Sequence, residues 1–292
     1  MATDAVAAVP PLRARSRVTI DPRLLPPLLI TTILVVAHLT FGILEGYSRT
    51  GLAIATAIAA ELILGRAAFG VWPHPASAYI TGISVGILLR SPFIWPYVLC
   101  SLISILTKYV LRYRGRHLWN PSNFGVSVVL LLAPDTVTLL SIQWGNAVAP
   151  MAVIWLLGAA IVWRVGRLHI SASYAASFLL LAGVRAWVDG VPWITAAAPI
   201  TGPMYQLFIF FMVTDPKTTV RSRRGQIIVV VLVAVVEMLL RLADVIYAPF
   251  YALFLVGPLA MVTEDLWAER RGALLAGDDP AGGPPRVVAP DH

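Results

Sequence analysis

Apolar positions along this chain gather into long uninterrupted blocks, separated by short polar turns rich in Pro, Asn, Asp and Arg. Neither the alternation of a half-buried strand nor the one-sided stripe of a water-facing helix recurs. Reading about 20 apolar residues per membrane crossing gives ten blocks: residues 24–44, 51–70, 77–89, 93–112, 122–133, 147–165, 171–188, 201–213, 226–246 and 248–267. The third, fifth and eighth are too short to cross alone, and are predicted as half-helices or as helices completed by flanking loop residues. A membrane barrel would instead show alternating segments of about ten residues. The predicted fold class is therefore all-α integral membrane, with about ten transmembrane helices.

Composition agrees with this pattern. Of the 292 residues 58% are hydrophobic and 13% charged, and the mean hydropathy is +0.80; a soluble domain carries about 25% charged residues. The net charge of +7 does not indicate nucleic acid, because the basic residues sit at block ends and form no basic face interleaved with aromatics. In a model with the N-terminus inside, the 22 Lys and Arg residues fall on the cytoplasmic side except for Arg49, Arg90, Arg185 and Arg241. A span count wrong by one would invert every later loop and destroy that bias. The expectation is a multi-pass protein of the cell membrane with both termini cytoplasmic. The basic residues Arg13, Arg15, Arg17 and Arg23 precede a stretch too long for a signal peptide and without a cleavage site, so the first block reads as an uncleaved span. Residues 1–22 and 272–292 read as disordered arms.

A faint echo runs between the two halves. Ile80-Thr81-Gly82 lies near the start of the short third block, and Ile200-Thr201-Gly202 opens the short eighth, five spans later. A five-span unit repeated once inserts with opposite orientation, because five is odd. The expected organisation is two five-helix inverted repeats, 23–146 and 147–271, with a site at mid-membrane between broken or half helices.

The candidate chemistry lies at two polar breaks. Trp119-Asn120-Pro121-Ser122-Asn123 opens the fifth block, with His117 just ahead of it. Asn120 is a good N-cap and Pro121 suits a first helical turn; the helix amino end that follows would attract a phosphate, a carboxylate or a carbonyl-rich ring. A plain loop-to-helix cap explains the same residues. The eighth block stops at Thr214-Asp215-Pro216-Lys217-Thr218-Thr219. Lipid cannot satisfy backbone groups freed by such breaks, which survive only inside protein or beside a water-filled cavity. Asp215 could cap the turn, pair with Lys217 or Arg116, or accept a hydrogen bond from a ligand ring. Arg221, Arg223 and Arg224 suit lipid headgroups or a cofactor phosphate. Glu61 and Glu237 lie midway along the second and ninth blocks, where an ionisable group needs a partner. Lys108 and Arg241 are the candidates, with Glu237 and Arg241 spaced i, i+4; ion or proton coupling and interhelical glue are the competing roles.

Other chemistries find no support. The histidines have no i, i+3 or i, i+4 pair, which argues against a helical metal site. The single cysteine, Cys100, cannot by itself hold an iron–sulfur cluster. No dinucleotide, Walker or nucleophile-elbow motif is present.

At these residues the chain resembles the RnfD/NqrB family of membrane subunits, which belong to ion-translocating ferredoxin:NAD and NADH:quinone oxidoreductases. The resemblance rests on the Asn120-Pro121 break with its Gly-containing half-helix, the phrase Phe211-Met212-Val213-Thr214-Asp215-Pro216, and the ten-span plan. It covers about residues 25–268 and looks closest to the short, stand-alone UnbU-like branch associated with enediyne natural-product genes. It implies an inverted-repeat scaffold that holds flavin and passes electrons. Larger members attach FMN to a threonine in a Ser/Thr-Gly-Ala-Thr sequence, which this chain lacks: Thr136, Thr138 and Thr195 stand in no such pattern. The expected cofactor is FMN or riboflavin held non-covalently near His117, Asn120, Asn123, Thr81, Thr214, Asp215 and Thr218. Glu61, Glu237 and Lys108 are the ion-coupling candidates. Without an NADH site or iron–sulfur ligands the chain would be no complete enzyme and would need redox or biosynthetic partner proteins beside the lipid bilayer. The alternatives are a transporter or exporter on the same fold, and a non-catalytic membrane anchor.

Overall fold

The structure is a computed structural model and describes residues 24–140 and 148–277. The arm 1–22, Arg23, the segment 141–147 with the expected boundary between the halves, and the tail beyond residue 277 lie outside the described residues.

Every apolar block of the sequence becomes a helix. The first five are α1 (Leu25–Phe41), α2 (Tyr47–Phe69), α3 (Ala76–Leu88), α4 (Trp95–Val110) and α5 (Pro121–Leu132). The rest are α6 (Val148–Arg164), α7 (Leu168–Asp189), α8 (Trp193–Ala197), α9 (Pro203–Leu207), α10 (Arg223–Leu242) and α11 (Ala248–Gly277). A 3₁₀ turn, Ala198–Thr201, links α8 to α9, and a π-helical turn, Phe208–Met212, continues α9. Helix α8 lies in a stretch that the hydrophobic pattern leaves as a loop, and α11 runs past the tail boundary expected at residue 272.

Helices α2, α7, α10 and, over Ala248–Arg270, α11 are long and apolar enough to cross a membrane. A fifth crossing results if the pair Trp193–Thr201 and Pro203–Met212, bent by 61°, counts as one. The other apolar helices are shorter. Large apolar side chains such as Leu39, Leu180 and Trp187 stand exposed on the helices, as a lipid-facing surface requires. The fold is thus that of a helical membrane protein with little sheet.

Helix α2 packs on α3 and α4, α4 on α5, α7 on α10, and α10 on α11. Close approach is built in at small residues. A Cβ on Gly82 of α3 would stand 2.5 Å from the Ile54 Cα of α2. Between the two groups, α1 meets α6, α3 meets α9, and α5 meets α11.

Two strand pairs close the loops. Strand β1 (Leu89–Arg90) pairs antiparallel with β4 (Thr138–Leu139). Strands β2 (Arg112–Tyr113) and β3 (Arg116–His117) form a hairpin between α4 and α5. Its two-residue turn puts Arg114 at φ 49° and Gly115 at φ 79°, the left-handed pair that matches strand twist in a tight hairpin.

Candidate functional site

Helix α5 begins as its sequence dictates. Asn120 is extended (φ −61°, ψ 125°) and its Oδ1 accepts the Asn123 N–H at 3.0 Å, while Pro121 occupies the first turn. That leaves the Asn120 amide nitrogen free, and it donates to Asp215 Oδ2 at 3.0 Å. The two polar breaks, far apart in the chain, are therefore joined directly.

The second break satisfies its backbone with hydroxyls. The Val213 N–H reaches back to the Phe208 carbonyl at 3.1 Å, the i→i+5 bond of the π turn. Thr214 Oγ1 donates to the Phe210 carbonyl at 2.7 Å, and Ser171 of α7 to that of Ile209 at 3.0 Å. Asp215 Oδ1 accepts the Lys217 N–H at 3.0 Å, and the Asp215 carbonyl takes the Thr219 hydroxyl at 2.6 Å. Of the uses foreseen for Asp215, capping its own turn is realised. Arg116 turns instead to the Thr219 carbonyl.

Where the breaks meet there is a cavity of about 820 Å³. It is bordered by Thr81, His117, Asn120, Thr214 and Asp215, all singled out from the sequence. Glu61 and Lys108 also border it. Lys108 Nζ donates to Glu61 Oε2 at 2.9 Å and to Ser77 Oγ at 3.1 Å, which joins α4 to α2 and α3. Pockets of about 300–1,000 Å³ typically hold small molecules and combine apolar walls with a few placed polar groups. Phe210, Phe211, Ile161 and Val162 supply apolar wall here.

The hairpin carries His117 to this wall, where its Nδ1 is buried without a hydrogen-bond partner. Burial and the positive charges of Lys217, Lys108 and Arg112 push His117 down to about 4, so it stands neutral at physiological pH. Burial pushes the Asp215 carboxyl above its ordinary range, against the opposing pull of the Lys217 and Asn120 hydrogen bonds.

Three candidates lie off the cavity. Asn123 clamps α5 to α11, its Nδ2 donating to the Phe250 carbonyl at 3.1 Å. Thr218 is a turn residue whose N–H donates to the Asp215 carbonyl at 3.3 Å. Glu237 is fully buried in a separate cluster. It accepts from the Tyr174 and Tyr205 hydroxyls and from Arg241 Nε at 3.0 Å, and Arg241 also donates to Tyr205. That network ties α7, α9 and α10 together. Cys100 is buried in the core between α4 and its neighbours.

Ser77 and Arg167 also border the cavity, and the sequence did not point to them. Ser77 sits one helical turn before Thr81, whose hydroxyl donates to its carbonyl; that i, i+4 spacing is the signal that was there to be used. Arg167 read as one more cytoplasmic charge. Comparison with protein families finds no matching family model, and comparison with curated proteins finds no match.

Proposed function

We propose that this chain is a membrane redox subunit on the RnfD/NqrB plan, which holds a flavin non-covalently in the cavity between its two helix breaks and relays electrons for partner proteins. The observation that carries the reading is the Asn120–Asp215 hydrogen bond at the edge of an 820 Å³ cavity. A Pro-broken polar junction is tolerated at membrane depth inside protein or beside a cavity, and this cavity has the size and mixed lining of a small-molecule pocket. The residues present fit a flavin: the cavity combines apolar and aromatic wall with amide, hydroxyl and carboxylate groups suited to the polar edge of a ring. Bound there, the flavin would supply one- and two-electron chemistry. The chain's own groups would orient it, exclude water, and offer neutral His117 and the carboxyl of Asp215 as hydrogen-bond partners. A link to enediyne-type biosynthesis rests on the sequence resemblance alone.

The scaffold in this reading is ten helices in two oppositely inserted five-helix halves with both termini cytoplasmic. Supporting it, counterpart helices meet at the middle: α1 with α6, α3 with α9, and α5 with α11. Counterpart helices that lie beside a pseudo-twofold axis between inverted repeats would meet in this way.

The test is the absorption spectrum of the full chain purified in mild detergent and supplied with flavin. Retained visible flavin bands, lost in Asp215→Ala, are the expected result; a preparation that stays colourless at saturating flavin sinks the reading. A second reading, transport coupled to an ion or proton, is favoured by the Glu61–Lys108 pair on the cavity wall. It predicts that Glu61→Gln abolishes gradient-driven uptake in vesicles without disturbing the fold.

A further inference from the structure

The charges around the cavity do not balance. Lys108, Arg167 and Lys217 border it against the two carboxylates of Glu61 and Asp215. Lys108 is matched to Glu61. Arg167 and Lys217 have no acidic partner within ion-pair distance among the described residues. Among the described residues the Arg167 side chain makes a single hydrogen bond, a long one of 3.4 Å to the Thr214 carbonyl. Asp215 offsets part of this positive charge from nearby, but its oxygens are engaged by Asn120 and by the Lys217 N–H. A second observation points the same way. Ser122, only 6% exposed, borders the cavity at the second position of α5, and its hydroxyl makes no hydrogen bond to another described residue. Its backbone N–H belongs to the first turn of the helix, where no intrahelical acceptor exists.

We infer that the ligand of this cavity carries an anionic group, a phosphate monoester or a carboxylate, held between Arg167, Lys217 and the Ser122 end of α5. This rests on the reading that the cavity holds a small-molecule ligand, and it narrows a flavin occupant to a phosphorylated one. Arginine offers a planar fork of donors to such a group and lysine a point charge. The helix amino end adds an oriented N–H and the positive end of its dipole. A lipid headgroup phosphate has related chemistry, so the experiment separates the two sources.

The experiment measures equilibrium binding to the full chain in lipid-free detergent, using FMN, riboflavin, inorganic phosphate and dihexanoyl phosphatidylglycerol as probes. FMN is expected to bind at least about tenfold tighter than riboflavin, the scale of one charge-assisted contact. In Arg167→Gln/Lys217→Gln that preference disappears while riboflavin affinity holds, and Arg167→Lys/Lys217→Arg restores it. Inorganic phosphate competes with FMN and leaves riboflavin bound. Equal affinity for the two flavins, or equal weakening of both in the double variant, overturns the anionic subsite and leaves the flavin reading standing. If neither flavin binds, but phosphate binds wild type and not the Gln variant, the flavin reading falls and the subsite survives. Absence of flavin and phosphate binding overturns both. Binding of the phosphatidylglycerol with no FMN binding assigns the cations to lipid and overturns a soluble ligand.

Discussion

His117 shows how much a single position in this site depends on its surroundings. The hairpin places it against the cavity with Lys108, Lys217 and Arg112 nearby, and burial adds to their effect, lowering it to about 4. The unfolded chain would protonate this ring near 6.5. Between those values the unfolded state binds the extra proton, so stability falls as pH drops from about 6.5 to about 4. Thermal unfolding in detergent should therefore show a midpoint that declines by several degrees over this window in wild type. The decline should be shallower in His117→Asn; identical pH profiles would remove His117 from the protonation balance. Residues of this kind were partly legible in advance. Glu61 and Glu237 lie in apolar blocks where few partners were within reach, and the predicted pairs with Lys108 and Arg241 form at 2.9 and 3.0 Å. Asn120 and Asp215 stood out because a Pro-broken polar phrase at membrane depth needs protein around it. Arg167 and Ser77 were hidden for a different reason. Only the i, i+4 spacing to Thr81 marks Ser77, and nothing local marks Arg167; they belong to the site because α3 and the turn between α6 and α7 bring them to the same cavity.

At the scale of elements, apolar length locates the helices other than the short α8 but says nothing of how closely they approach. Helix α5 meets α4 through Gly125, where a Cβ would stand 2.0 Å from Ser104 Oγ and 2.7 Å from the Cys100 carbonyl. The carbonyl is helix backbone and cannot rotate away. Gly125→Val should therefore push the helices apart at a cost of about 1–3 kcal/mol. Because α5 carries Asn120 at its head, ligand affinity should drop with stability. Gly183 on α7 is the control: the nearest atom to its Cβ would be Trp193 Cδ1 at 3.8 Å, an ordinary contact. Gly183→Ala should leave the unfolding midpoint unchanged or slightly raised, since alanine is the better helix former. Equal effects from the two variants, read by thermal unfolding and ligand titration, would contradict the packing described. The β2–β3 hairpin and the π turn escaped the hydrophobic pattern for physical reasons. A two-residue strand has no periodicity to detect. The π turn over Phe208–Met212, closed by the Val213 N–H on the Phe208 carbonyl, alters the helix by a single residue, which an all-apolar run cannot reveal. That turn brings Phe210 and Phe211 to the cavity, so the least legible element helps to build its wall.

The whole molecule poses a question of sidedness, because helices of 12 and 13 residues such as α5 and α3 are too short to cross a bilayer core of about 30 Å by themselves. Whether each ends inside the membrane against its counterpart or is completed by loop backbone decides which side every later loop faces. The proposed arrangement, drawn from the distribution of basic residues, has each of the ten apolar blocks change side. The β2–β3 hairpin and the 217–224 loop lie together, since Arg116 bonds to Thr219 and Arg114 to Glu269 of α11; the proposed arrangement would put them on the face of the termini. Arg221 also pairs with Asp265 at 3.5 Å. These contacts bind the loop ahead of α10, the loop ahead of α5 and the end of α11 into one surface, so an error in side for one of them is an error for all three. Cys100 is the sole cysteine and is buried, which makes the chain suited to single-cysteine labelling in a Cys100→Ala background. Cysteines placed at the exposed positions Tyr47, Arg114, Asp189 and Arg223 should divide into two classes with an impermeant maleimide applied to intact cells. Arg114→Cys and Arg223→Cys should react only after the membrane is opened, and Tyr47→Cys and Asp189→Cys without opening. Labelling of Arg114→Cys and Tyr47→Cys from the same side would mean that α3 turns back within the membrane with α4 completing its passage. The inverted pairing of the two halves would then have to be abandoned, even though the cavity between their breaks remained.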